Sequence, residues 1–516
     1  MVTNQSRHLF QQVVYLFSII PLYANIYLMT SIEEIREQRI QKIKELKGKG
    51  IEAFPVVTNI DYTNKQFTEE FKDLLESQKE VTIGGRLLSI RGQGKVGFAD
   101  VLDGTGEKVQ CFLSIDNLSE ESLADFFALI DSSDFIEFKG VAYITKRGTD
   151  ALLVKEWRLL SKSLRPIPDS WFGIADEDER YRRRYVDMVL NPELREMMKR
   201  RSVFWNTMRS FLLDRDYIEV ETPTLENTTG GADARPFITH HNALDMDVYL
   251  RISVGELWQK RLLVAGLPKT FEIGKVFRNE GMSPEHGQDY TAMEFYEAYS
   301  DFDKGMKMVR EMYIQIAEKV YGKTVFENKG HTFDLSAEWE IYDFTKILMD
   351  KFGIDVHNTT VDEVEKELVK NKVEYDRKTI SIERGIDLLW KTVRKGLSGP
   401  GFLIGIPVYL ETLAKKSRVD NRVVERFQII LAGSELGKGF SELNDPIDQE
   451  ERFLSQQALR DAGDEEAQMT DQEYVEAMEY GMPPAFGFGI SERLFSFLEG
   501  KSLRECQAFP LMRKKE

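Results

Sequence analysis

Three stretches of the 516-residue chain concentrate side chains suited to handling phosphate and charge. The first is Phe277–Tyr299, FRNEGMSPEHGQDYTAMEFYEAY. Its pattern predicts a strand that delivers Arg278 and Glu280, a loop, and a second strand that carries Glu294 and Tyr296. Each pair shares a face because side chains alternate along a strand. An arginine so placed can grip a phosphate with two parallel donors, which lysine cannot do; a structural Arg–Glu pair would read the same way. The second stretch is Gly433–Gln449, GSELGKGFSELNDPIDQ. Glu435 and Glu442 lie seven apart, and the glycines between them argue for strand or loop rather than helix. Two carboxylates near one point suit Mg²⁺, an oxygen-seeking ion that also bridges substrate phosphates. A solvated acidic surface is the plainer alternative. The third is Phe486–Leu494, FGFGISERL. Its glycines let the backbone approach a ligand, and Arg493 stands where a helix should begin. No GK[ST] follows, so this is not a phosphate loop of the Walker type, nor is it a dinucleotide fingerprint. Together the three suit a bent nucleoside triphosphate, handled by positioning and charge neutralisation rather than by a covalent nucleophile.

The elements that must position these residues read as an α+β chain in several parts. Residues 29–75 form a helical N-terminal segment, with Ile32, Ile35, Ile40, Ile43 and Leu46 at helical steps. Residues 76–163 change to short β runs with a hairpin turn at Asp103–Glu107 and one helical stretch, Ser119–Leu129. Five strands with a helix before the fourth is the pattern of an OB-fold, a small barrel that binds oligonucleotides; a generic small barrel shares it. Residues 164–190 read as a linker. A larger region, 191–516, alternates helices such as 193–214 and 304–320 with strands such as KTFEIGKVF, and residues 340–400 look like a helical insertion.

Composition sets the setting. Forty-two per cent of residues are hydrophobic, which supports a large core, and two cysteines exclude a disulfide framework. A formal charge of −17 argues, taken alone, against nucleic acid. The charge is segregated, however. Residues 435–479 hold 14 acids and 3 bases, whereas 139–165 hold 7 bases and 2 acids and 182–201 hold 7 bases and 3 acids. That distribution predicts a basic belt around the barrel and the junction. Leu9–Leu28 is uncharged and near the ~20 apolar residues that span a bilayer, but Gln11, Gln12, Ser18, Pro21 and Asn25 interrupt it. The expectation is a biological start at Met29, no membrane, and a cytoplasmic protein.

The three stretches, in this order, resemble the signature motifs of class II aminoacyl-tRNA synthetases. LRPIPD followed by DERYRRRYVDM, GGADARPFITHHNALDMDVYLRIS at 230–253 and ELNDPIDQ are similar to the lysyl-tRNA synthetase family in particular. The resemblance implies an OB-fold anticodon-binding barrel followed by a catalytic domain built on an antiparallel sheet flanked by helices. It implies that DYIEVETPTL, 216–225, forms a homodimer interface around Pro223, with Asp216 where a glycine is usual. It assigns Arg278 to the α-phosphate and Arg493 to the γ-phosphate, as the catalytic pair. Glu280, His286, Glu435 and Gly489 would surround ATP, and Tyr290 would stack on adenine. Gly231, Glu256, Glu294, Tyr296 and Asn444 would bind lysine, with Asp448 a further candidate for its ammonium. Glu435 and Glu442 would hold Mg²⁺. Gly287 and Ser491 depart from the family's motifs, in place of an asparagine and a glycine.

The resemblance implies a reaction in two steps. The carboxylate of L-lysine attacks ATP to give lysyl-adenylate and pyrophosphate, and a terminal ribose hydroxyl of tRNA(Lys) then takes the lysyl group. The rival readings are a related synthetase for aspartate or asparagine, a paralogue that works without tRNA, and a catalytically dead binding protein. The carboxylates Glu256 and Glu294 argue against the first, because a buried ammonium requires acidic partners. The barrel argues against the second.

Overall fold

In a computed structural model of the chain, the residues described are 32–168, 174–232, 234–281, 283–377, 380–461 and 467–515. The uncharged segment Leu9–Leu28 lies outside them. The chain divides into two units, residues 1–177 and 178–516. Among the described residues no helix is long and apolar enough to cross a membrane.

The first unit begins with a helix, 32–48, that ends where Gly48 and Gly50 predict. Five strands follow: β1 (Val81–Gln93), β2 (Val96–Leu102), β3 (Lys108–Ser114), β4 (Phe135–Ile144) and β5 (Asp150–Ser161). They close into a barrel in the order β1-β2-β3-β5-β4, with β3 and β5 parallel. Alternation drives the closure: Ala99, Val101, Cys111, Leu113, Ile136 and Phe138 all turn inward and are buried. The helix between β3 and β4, Glu120–Leu129, starts at Ser119, whose hydroxyl accepts from the Ser122 amide. It buries Phe126 against Phe138 and Trp157.

The second unit is built on eight strands: β6 (Ile218–Glu219), β7 (Lys269–Phe277), β8 (Asp289–Ala298), β9 (Glu340–Asp343), β10 (Gly401–Ile404), β11 (Arg426–Leu431), β12 (Ser434–Ser441) and β13 (Ala485–Ser491). Their order is β9-β10-β11-β12-β13-β8-β7-β6. The six central strands are antiparallel; only the edge pairs β6–β7 and β9–β10 run parallel. The period of two divides the sheet cleanly. One face carries Phe271, Met293, Phe295, Phe427, Phe486 and Phe488, which pack on Phe204, Met208, Met312 and Ile316 of the helices Pro192–Leu213 and Phe302–Tyr321. The alternate residues open on the other face.

Two boundaries differ from expectation. Residues 177–190 are helical rather than linker: Arg184 and Asp187 are buried and 3.2 Å apart, and such a closed ion pair draws the segment into the second unit. The insertion does not begin at 340, because Glu340–Asp343 is a strand of the main sheet; the helices Phe344–Phe352, Val361–Lys370 and Ile382–Val393 follow it. Asp216 adopts φ +65°, the left-handed conformation that glycine takes most readily.

Candidate active site

The open face of the sheet forms the floor of a cavity of about 620 Å³. Strand register sets the floor out as rows. Gln428, Lys438, Gly489 and Glu294 lie side by side on β11, β12, β13 and β8, and Arg426, Phe440, Gly487 and Tyr296 form the next row. A side chain at Gly487 is excluded, because its Cβ would fall 2.1 Å from Glu442 Oε1 and 2.5 Å from Tyr296. Gly231 borders the cavity at φ +85°, and its Cβ would meet Ser253 Oγ at 2.6 Å.

Of the residues singled out from the sequence, the cavity is lined by Gly231, Glu256, Arg278, Glu280, His286, Tyr290, Glu294, Tyr296, Glu435, Gly489 and Arg493. The departures Gly287 and Ser491 line it too. Arg278 and Glu280 leave the end of β7 rather than standing in it. The Arg278 Nε donates to the Ile252 carbonyl at 3.2 Å, and its guanidinium lies 5.8 Å from the Tyr290 ring. Arg493 opens the helix Arg493–Glu499, as its position after the glycines predicts. Its guanidinium is 2.9 Å from Glu285, which is also paired with Lys329. His286 Nδ1 faces the Ser283 hydroxyl at 2.7 Å. Burial and the nearby Arg493 charge press its pKa below the usual imidazole value.

A cluster of charges fills one end. Lys260, fully buried on the helix Glu256–Val264, lies 2.8 Å from Glu256 and 2.6 Å from Glu442. Glu294 accepts from the Val254 amide and from the Tyr296 hydroxyl, each at 2.9 Å. Burial, and then the charge of Glu256, push the Glu294 carboxyl up to about 7. Burial likewise pushes Glu442 up to about 8 despite Lys260. Of these three carboxyl groups, Glu256 and Glu442 pair directly with the one resident ammonium.

Four assigned residues fall elsewhere. Glu442 is buried against Lys260 beside Gly487 of the floor, and is not among the residues that line the open cavity with Glu435. Glu435 itself lines the cavity, steadied by the Trp390 Nε1 donor at 2.7 Å and by Arg394 at 3.3 Å. Among the described residues there is no cluster of three or more His, Cys, Asp or Glu side chains for a metal. Asn444 is engaged by Lys415 at 2.6 Å and by the Met482 carbonyl at 3.2 Å instead of turning to the cavity. Asp448 is held by Arg452 at 3.0 Å and by Lys416 at 3.1 Å. Pro223 is exposed, flanked in sequence by exposed Ile218 and Leu225. The sequence reading missed Lys260, Glu285, Glu411 and Lys438. A cation four residues after Glu256 was the one local signal for Lys260.

The basic belt is largely neutralised. Lys139 and Lys155 pair with Glu80, Arg158 with Glu137, and buried Lys162 with Asp131 and Asp134. Arg200 pairs with Glu193 and Glu499, and Arg201 with Glu492. What the barrel does offer is a row of half-buried rings on its outer face. Phe98 and Phe112 lie 5.1 Å apart, and Phe112 stacks on Tyr143 at 5.6 Å with planes 13° apart.

An antiparallel sheet with motif arginines over a glycine floor, in a chain that also holds a five-stranded barrel, defines a class of enzyme rather than a single one. Residues 176–513 match the family of class II tRNA synthetases (D, K and N), and the chain belongs to it. Residues 81–160 match the OB-fold nucleic acid binding domain. Within that class the chain is similar to lysine–tRNA ligases. That of Thermotoga maritima is 39% identical, over 94% of this chain and 97% of its own length. Those of Halalkalibacterium halodurans, 39% identical over 94% and 98%, and Moorella thermoacetica, 40% identical over 93% and 97%, are comparable.

Proposed function

We propose that this protein attaches L-lysine to tRNA(Lys) at the expense of ATP. The observation that carries the reading is the charge count at the end of the cavity. When ionised, Glu256, Glu294 and Glu442 exceed Lys260 by two negative charges, and free lysine brings the two ammonium groups that would displace the protons Glu294 and Glu442 otherwise hold. An amino acid with one ammonium would leave one of these buried carboxyl groups without a cationic partner, to be ionised at a cost or to keep its proton. Aspartate would add a carboxylate where Lys260 is already committed to two others.

Lysine lies with its ammonium groups toward the glutamates and its carboxylate toward the ATP. Tyr290 stacks on adenine, Arg278 grips the α-phosphate, and Arg493 exchanges Glu285 for the γ-phosphate. Attack of the carboxylate on the α-phosphorus forms lysyl-adenylate and expels pyrophosphate, and a tRNA ribose hydroxyl then displaces AMP. Glu435 would hold a Mg²⁺ ion, which takes one or two carboxylates and keeps other oxygen ligands. When bound, it neutralises phosphate charge. The exposed apolar residues beside Pro223 support a homodimer. The protein is placed in the cytoplasm, where the tRNA and ATP pools lie.

ATP–pyrophosphate exchange with each amino acid in turn tests the reading. Lysine should drive exchange; aspartate or asparagine driving it while lysine stays silent would overturn it.

Two further results are expected. Glu294 and Glu442 hold protons near neutrality, and an arriving ammonium favours their ionised forms. Lysine binding should therefore tighten as pH rises from about 6 to about 8, by up to about one log unit per pH unit for each proton released. Calorimetry in buffers of different ionisation enthalpy would register those protons, and pH-independent binding would remove the argument. On the barrel, the ring row stacks on tRNA bases. Phe112→Ala should weaken tRNA binding at fixed salt by about 1–3 kcal/mol and leave lysine-dependent exchange intact. Filter binding that shows no change would exclude this face.

A further inference from the structure

The floor row Gln428–Lys438–Gly489–Glu294 has one bare position. A Cβ built on Gly489 would meet only Glu294, at 3.4 Å, so the space above this glycine is open to the cavity. Anything lying there has the Glu294 carboxylate on one side and the Lys438 ammonium on the other. Lys438 is not free to swing away. Its Nζ sits 3.1 and 3.2 Å from the two oxygens of Glu411, and Arg426 Nε approaches the same carboxylate at 3.1 Å. Glu411 is buried, whereas the Lys438 side chain keeps 40% of its exposure. Two cations on one buried anion leave a positive charge facing the cavity, fixed from behind.

We infer that Lys438 contacts substrate, gripping the amino acid's carboxyl oxygens as they are joined to the α-phosphate, with Glu411 as its positioning residue. This rests on the reading that the cavity activates lysine. The chemistry requires such a cation. Glu256, Glu294 and Glu442 attract the two ammonium groups of lysine but repel its carboxylate. A counter-charge must therefore stand across the site from them, and Lys438 stands across the bare glycine from Glu294. During the step one carboxylate oxygen bonds to the α-phosphorus. The bond from that phosphorus to the bridging oxygen breaks, and the electron pair leaves with pyrophosphate. Lys438 keeps its proton throughout and donates hydrogen bonds to oxygens whose charge is being redistributed.

The test compares Lys438→Met, Lys438→Arg and Glu411→Gln with the wild type in lysine-dependent exchange, with inhibition by cadaverine measured alongside. Cadaverine has both ammonium groups of a lysine-like chain and no carboxylate. Lys438→Met should lower kcat/KM for lysine about 100-fold, the scale of losing one preorganised charge donor. Its cadaverine inhibition constant should stay near wild type. Lys438→Arg should recover activity to within about tenfold, and Glu411→Gln should fall between the two. The inference is overturned if Lys438→Met exchanges at nearly the wild-type rate. It is overturned equally if cadaverine weakens as much as lysine, or if KM rises for ATP alone. A wild type silent with lysine would instead sink the functional reading, so the two failures are distinguishable.

Discussion

Replacing Glu294 by glutamine is expected to raise the KM for lysine in pyrophosphate exchange by about a hundredfold or more, with little change in the KM for ATP. Glutamine keeps the shape and can still accept from the Val254 amide, so the loss is one of charge. Breaking a buried ion pair by removing one partner costs about 3–5 kcal/mol, and each 1.4 kcal/mol is a factor of ten. Glu294 is a cleaner choice than Glu256, whose replacement would also strip Lys260 of a partner 2.8 Å away. A lysine KM within about threefold of wild type would refute the assignment of Glu294 to the substrate ammonium.

The second large effect belongs to Arg278. Arg278→Lys should cut kcat for exchange by about a hundred- to a thousandfold while the lysine KM changes little. The Nε is tethered to the Ile252 carbonyl at 3.2 Å, which leaves the two terminal nitrogens to face a phosphate as a fork. Lysine carries the charge, but its single ammonium cannot both hold that tether and present two donors. Rapid-quench measurement of adenylate formation separates chemistry from product release. Retention of more than about a tenth of the wild-type rate would place the phosphate contact elsewhere.

What could be read from the chain was whatever repeats on a short period. KTFEIGKVF coincides with β7 because nine residues alternate between a face that packs on helices and a face that opens on the cavity. DYTAMEFYEA shows the same alternation, which is why Glu294 and Tyr296 were legible as neighbours. Arg493 was legible because a glycine run followed by a charged residue marks a strand-to-helix turn. Partnerships across long separations were not legible. Nothing near Glu442 in sequence announces Lys260, 182 positions earlier, as its counter-ion. Nothing near Asn444 announces the Met482 carbonyl that holds its amide. The same limit explains the basic belt. A local count of bases cannot see that Lys162 is buried between Asp131 and Asp134, so a segment net positive in sequence projects much less charge than it contains.

The carboxylate of Glu285 has a consequence for the direction of the reaction. It pairs with Arg493, with Lys329 behind it and the Ser434 hydroxyl 2.8 Å from that lysine. On the proposed reading, an arriving triphosphate would have to win Arg493 from a partner already in place, so some binding energy would be withheld at entry. The withheld part returns when pyrophosphate is the occupant, because Glu285 stands ready to retake the guanidinium as the product loosens. The loop residue thus works as a return spring. On that reading it would weaken the grip on substrate and product alike, and would hasten the departure of pyrophosphate.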